Sequence, residues 1–180
     1  LCVHQFSSND FTIASNLEGN LALVKGGSGT LVLEGNNQIN GGTFLNEGMI
    51  KISGGNALSD RGAVSLKNKP GVGLEITDSN WEIVSSLVGG GTDGGIVNIG
   101  TGTLELQNIT GTAVFIGLVE GSGTLIKSGG TQEFEGNNVN FTGNIIINGG
   151  LMHLDSGAGA FSNAASIVIN GAELLTDQEQ

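Results

Sequence analysis

The sequence predicts an all-β fold, a right-handed single-stranded parallel β-helix, from three observations. Short Val, Ile and Leu clusters follow one another with little helical periodicity, Gly and Asn separate them, and a long stretch of sequence recurs. The first candidate strands, Phe11 to Ile13, Leu21 to Val24 and Thr30 to Leu33, are brief apolar runs bounded by Asn, Ser and Gly. Met49 to Ile52, Val64 to Leu66, Leu74 to Ile76 and Trp81 to Val84 carry the pattern through the middle. Ile96 to Ile99, Leu104 to Leu106, Ala113 to Ile116, Thr124 to Ile126 and Gln132 to Phe134 continue it. Asn144 to Ile147, Leu151 to Leu154, Ser166 to Ile169 and Glu173 to Leu175 complete it. Between strands, groups such as Gly54, Gly55 and Asn56, or Asn148, Gly149 and Gly150, supply corners, because Gly and Asn tolerate positive φ. An antiparallel sandwich would use similar turns, so strand content alone leaves the architecture open.

The repeat decides it. Gly19, Leu23, Val24, Lys25 and Gly27 match Gly121, Leu125, Ile126, Lys127 and Gly129. After one residue of slippage, Thr30, Glu34, Gly35, Asn36 and Asn37 match Thr131, Glu135, Gly136, Asn137 and Asn138, and Gly42 and Gly48 match Gly143 and Gly149. The copies extend over residues 19–66 and 121–169. Such self-similarity suits a solenoid, in which each coil leaves its inner face and strand edges unsatisfied until a neighbour stacks on it. Coils of roughly 20 to 25 residues at about 4.8 Å spacing would build a rod of about seven to nine coils. Leu31, Leu33, Ile50, Ile52, Leu104, Leu106, Ile145, Ile147, Leu151, Ile167 and Ile169 are expected to face its core. Gly35, Asn36, Asn37, Gly136, Asn137, Asn138 and Gly149 are the structural turn positions; each Asn either bonds turn backbone or is simply solvated.

Composition narrows the function. Gly accounts for 33 of 180 residues with a single proline and no collagen period, while 38% hydrophobic residues in clusters argue against disorder. The chain is read as one segment spanning residues 1–180. A formal charge of -11 opposes nucleic acid and anionic membranes, which attract clustered Lys and Arg. Cys2 stands alone, so stability rests on burial and hydrogen bonding rather than an intrachain disulfide. No apolar run is long enough to span a bilayer as a helix, and the N-terminus lacks a signal-peptide pattern, so an export signal or anchor is expected outside this segment.

From Gly121 through Leu125, Lys127 and Gly129 to Gly136, Asn137 and Asn138, then Thr142, Gly143, Asn148, Gly149, Gly150 and Leu151, the chain resembles the passenger-associated repeat of bacterial autotransporters. The first copy departs from the pattern, with Gly41 and Gly42 in place of the Thr-Gly pair and Met49 after Gly48. The resemblance implies a secreted passenger domain of the pertactin β-helix kind, displayed extracellularly or on the outer-membrane surface by a C-terminal barrel absent from this segment.

Catalytic chemistry finds little support in the residues. The strings around Ser28 and Ser122 lack the Asp of a serine-protease nucleophile segment, and only His4 and His153 could serve a triad. Acidic residues are dispersed, Glu133 and Glu135 being one alternating pair, and a lone Gly90 to Gly94 string falls short of tandem calcium repeats. One Cys and two distant His preclude a Cys/His metal site, and no cofactor is implied. Two irregular segments remain as recognition candidates. Ser59 to Gly73 holds Arg61, Lys67 and Lys69, half of the six basic residues, and Ser79 to Gly95 holds the sole tryptophan, Trp81, with Glu82. The expected function is a non-enzymatic adhesin that binds a host-cell receptor or matrix component through Arg61, Lys67, Lys69, Trp81 and Glu82. Self-association between bacterial cells, a carbohydrate-active enzyme and a structural stalk are the rival readings.

Overall fold

Apolar strands this short hold their place only when stacked, and the computed structural model, which describes residues 1–77, 80–107, 111–155 and 159–177, stacks them in parallel. One face carries nine strands, from Cys2–His4 and Leu23–Gly26 to Leu151–Leu154 and Glu173–Thr176. A second face has six strands, Phe11–Ile13 to Leu118–Glu120, and a third has five, Trp81–Val84 to Ser166–Ile169. Every pair of named strands is parallel and joins successive coils, so this is the all-β solenoid expected, with about eight turns and no α-helix among the described residues. Coil length varies: Thr131 sits over Thr112, 19 positions on, whereas Phe115 sits over Gly89, 26 positions on.

Alternation places the core. Along Asn144–Ile147, Ile145 and Ile147 are fully buried; Leu31, Leu33, Ile50, Ile52, Leu104 and Leu106 are buried likewise. Three expected core residues differ. Leu151 is only partly buried because Gly150, at φ 72°, turns the chain so that Met152 and Leu154 point inward instead. Ile167 and Ile169 stand in register with Ile145 and Ile147 but are 41% and 47% exposed, since no described coil lies above them.

Six strands escaped the sequence reading: Cys2–His4, Glu18–Gly19, Gln38–Ile39, Thr43–Leu45, Leu87–Gly89 and Leu118–Glu120. Each has only two or three residues and includes a Gly or a polar side chain. Several of them exist because coil below and coil above supply the ladder, as Thr43–Leu45 does between Leu23–Gly26 and Val64–Leu66.

The third side of the rod is interrupted. Glu18–Gly19 and Gln38–Ile39 pair there as a separate two-stranded sheet, residues 53–60 follow an irregular path, and the five-stranded sheet begins one coil later at Trp81. This break positions the site described next.

Candidate functional site

The repeat's landmark residues build corners. Lys25 and Lys127 are both buried, and their ammonium groups donate to carbonyls of the turn that follows. The Lys25 Nζ reaches Gly26 O at 2.9 Å, Gly27 O at 2.6 Å and, one coil on, Glu47 O at 3.1 Å. Lys127 reaches Gly130 O at 3.0 Å. Burial lowers both pKa values, that of Lys127 to about 8. The equivalent asparagines behave alike: Asn37 Oδ1 accepts from Leu17 N at 2.7 Å, and Asn138 Oδ1 accepts from Val119 N at 2.7 Å, each in the coil beneath. Both are buried, whereas Asn36 and Asn137 are exposed. A Cβ at Gly35, Gly136 or Gly149 would run into the carbonyl of Ser15, Gly117 or Ser128 respectively, so close stacking requires glycine there. The two copies nevertheless occupy different faces. Lys25 lies on the nine-stranded face and Lys127 on the five-stranded one, which makes the repeat a corner device independent of which side it turns from.

A chain of side-chain bonds crosses the break in the third side. Asn37 Nδ2 donates to Ala57 O at 2.7 Å, and from the opposite direction Glu82 accepts from Ala57 N at 2.9 Å and Leu58 N at 2.8 Å. Glu82 thereby stands in for the strand that residues 53–60 fail to provide. It is fully buried, and desolvation raises its pKa to about 7 against the pull of those two amides, with the charge of Asp60 adding to the rise. Glu82 is thus inside the rod, and its expected role as a surface contact does not fit that position; alternation with outward Trp81 is what sends it in.

Outside the bridged segment lies a cleft of about 510 Å³ whose wall is almost wholly polar, including Asn36, Gln38, Asn40, Asn56, Asp60 and Arg61. Its apolar members, Ile39 and Leu58, are buried. Asn56 adopts the left-handed conformation, φ 57°.

The remaining surface candidates do not form one patch. Arg61 precedes the strand Val64–Leu66 and Lys67 follows it, so the strand's length separates them, and Lys67 and Lys69 lie at the corner between the nine- and six-stranded faces. Arg61, Lys67 and Lys69 are exposed; Lys69 pairs with Glu47. Trp81, 53% exposed, opens the third face, and its carbonyl lies near Gly55 of the coil below. Of the segment expected to begin at Ser79, that first residue lies outside the described residues.

Acidic residues dispersed in sequence meet in space. Glu133, Glu135 and Asp155 bring carboxylate oxygens within 4.8 Å of one another. His153 stacks over Glu133 in the parallel ladder, 3.4 Å from its carboxylate and 3.2 Å from that of Asp177. The hydrogen bond that the His153 ring donates to Asp177, with the surrounding carboxylates, raises the His153 pKa. Reading the strands one at a time missed this cluster because its members belong to successive coils.

The stacked solenoid with lysine-stapled, asparagine-capped corners is the kind of fold the repeat led one to expect, and the comparisons supply its family. The passenger-associated transport repeat matches residues 23–52. Those residues lie in the first copy, the one whose Gly41, Gly42 and Met49 depart from the pattern. Over 93% of its length the chain is 34% identical to the adhesin BmaC autotransporter of Brucella suis biovar 1 (strain 1330), and it spans 5% of that protein. No solved structure matches. The chain is therefore an autotransporter passenger segment with passenger-associated repeats, a class that implies surface or extracellular display.

Proposed function

We propose that this segment is an adhesive surface that binds a host-cell or matrix component outside the bacterium, and that it acts by binding rather than catalysis. The observation that carries this reading is the 34% identity, along nearly the whole chain, to a protein named as an adhesin. The rod supports it physically: strands locked by neighbours above and below hold outward side chains at fixed spacing, so binding costs little ordering of the scaffold. Arg61, Lys67, Lys69 and Trp81 are the outward candidates; Lys67 and Lys69 share a corner while Arg61 and Trp81 lie apart from it, so the contact would be made in separate parts.

The test is adherence of beads coated with the 180-residue chain to cultured host cells, against beads coated with an unrelated acidic β protein. Specific, saturable adherence that falls when Arg61 or Trp81 is replaced by Ala supports the reading. Adherence equal to the control at every coating density overturns it.

A further inference from the structure

We propose that the cleft at the break in the third side is a binding site for a neutral oligosaccharide. This deepens the adhesin reading, on which its biological meaning rests, but its chemistry is argued from the cleft alone. A volume of about 510 Å³ lies within the usual range for small-ligand sites. A sugar ring presents hydroxyls that both donate and accept, and the wall matches this. Asn36, Gln38, Asn40 and Asn56 each offer an amide that does both, while Asp60 accepts and Arg61 donates. Among the described residues, the side chains of all six make no hydrogen bond or ion pair within the protein, so these groups are free for a ligand.

Charge selects a neutral ligand. Asp60 and Arg61 are adjacent and cancel, and the chain carries a net charge of -11, which repels anionic glycans and polyphosphates. A protein partner is disfavoured by the lining, since protein contacts anchor apolar or aromatic side chains in pockets and the cleft's apolar residues, Ile39 and Leu58, are buried. The floor is rigid, because Asn37 and Glu82 tie the segment from Asn56 to Leu58 into the coils on either side.

The experiment titrates the 180-residue chain with N-acetyllactosamine, mannotriose and chitotriose, with 3′-sialyllactose as the acidic comparison, following backbone amide shifts by NMR. The expected result is binding of at least one neutral sugar, more tightly than the sialylated one, with shifts at Asn36, Asn40, Asn56, Asp60 and Arg61. Arg61→Ala and Asn40→Ala, both at exposed positions, should weaken it at least about tenfold without moving the thermal midpoint. No neutral sugar bound, only the sialylated one bound, or shifts confined to another surface would each overturn the proposal. Bead adherence separates it from the broader reading. If the cleft fails while beads still adhere, adhesion resides elsewhere on the rod; if sugar binds but beads do not adhere, the site stands and the adhesin reading falls.

Discussion

The side-chain amide of Gln132 makes both hydrogen bonds to the backbone of Leu87 that a neighbouring strand would make: Oε1 accepts from Leu87 N at 3.1 Å and Nε2 donates to Leu87 O at 3.0 Å. Leu87 lies two coils below, where the 26-residue coil leaves Gly89 and Phe115 as the sole paired positions between strands Leu87–Gly89 and Thr112–Phe115. The same amide also bonds Ala113 O at 3.2 Å on its way down. A long coil is thus closed by a side chain acting as a peptide unit.

Gln132→Leu keeps the size but strands a buried N–H and C=O of Leu87. It should destabilise the chain by about 3 kcal/mol, from the desolvation cost of two unpaired backbone groups. Urea unfolding would show a lower midpoint with the slope unchanged. A midpoint within error of the parent would mean that Leu87 finds other partners.

Glu82 makes stability depend on pH. Its folded pKa, about 7, lies above the 4.5 of the free side chain. Between those values the native state binds more protons than the unfolded one, so this group's contribution falls as pH rises from 4.5 to 7 and is fully lost above the folded pKa. The span corresponds to about 3 kcal/mol. Thermal melts of Glu82→Gln and the parent between pH 4.5 and 8 should differ in slope, the variant being flatter. Parallel curves would show that Glu82 is not desolvated.

The two corner lysines should differ in weight. Lys25→Met removes a donor from three carbonyls and should cost about 2 kcal/mol; Lys127→Met removes one and should cost about 1. For Lys127 the folded pKa of about 8 lies below the free 10.5, so between them the unfolded state binds more protons and stability rises with pH. Chemical denaturation across pH 8 to 10.5 should show that rise shrinking in Lys127→Met. Equal costs for the two substitutions would contradict the bonding described.

Glycines divide into those required by stacking and those required by conformation. Gly136 has an ordinary φ, but a Cβ there meets the Gly117 carbonyl, so Gly136→Ala must push two coils apart. Gly71, at φ 79°, has open space around it, and Gly71→Ala should cost only about 1 kcal/mol of backbone strain. Thermal midpoints should therefore fall much further for Gly136→Ala, and the reverse order would rule out tight stacking at that corner.

Much of the fold could be read from residues alone because stacking repeats the same two-residue alternation in every coil. Leu31 with Leu33 and Ile145 with Ile147 declare an inner face without any partner in view. Leu151 departs from the expected inner face because the positive-φ Gly150 before it resets the alternation. The repeat marked Lys25 and Asn37 as positions of interest but could not reveal that both turn inward, since their acceptors and donors include groups one coil away. Glu82 looked like a surface acid beside a tryptophan; its partners are 24 and 25 positions back. The cleft was invisible for the same reason, being made by Asn36 to Asn40 in one coil and Asn56 to Arg61 in the next.

Parallel coil stacking is most directly tested by distances between spin labels on one outward ladder, measured by electron paramagnetic resonance in a Cys2→Ser background. Ile83, Glu105, Ile126, Ile146 and Val168 stand successively over one another. A label at Ile83 paired in turn with Ile126, Ile146 and Val168 should give backbone separations of about 10, 14 and 19 Å, one interstrand spacing per coil. Distances that do not lengthen by a constant step, or that place Val168 nearer to Ile83 than Ile126 is, would contradict the stacked rod.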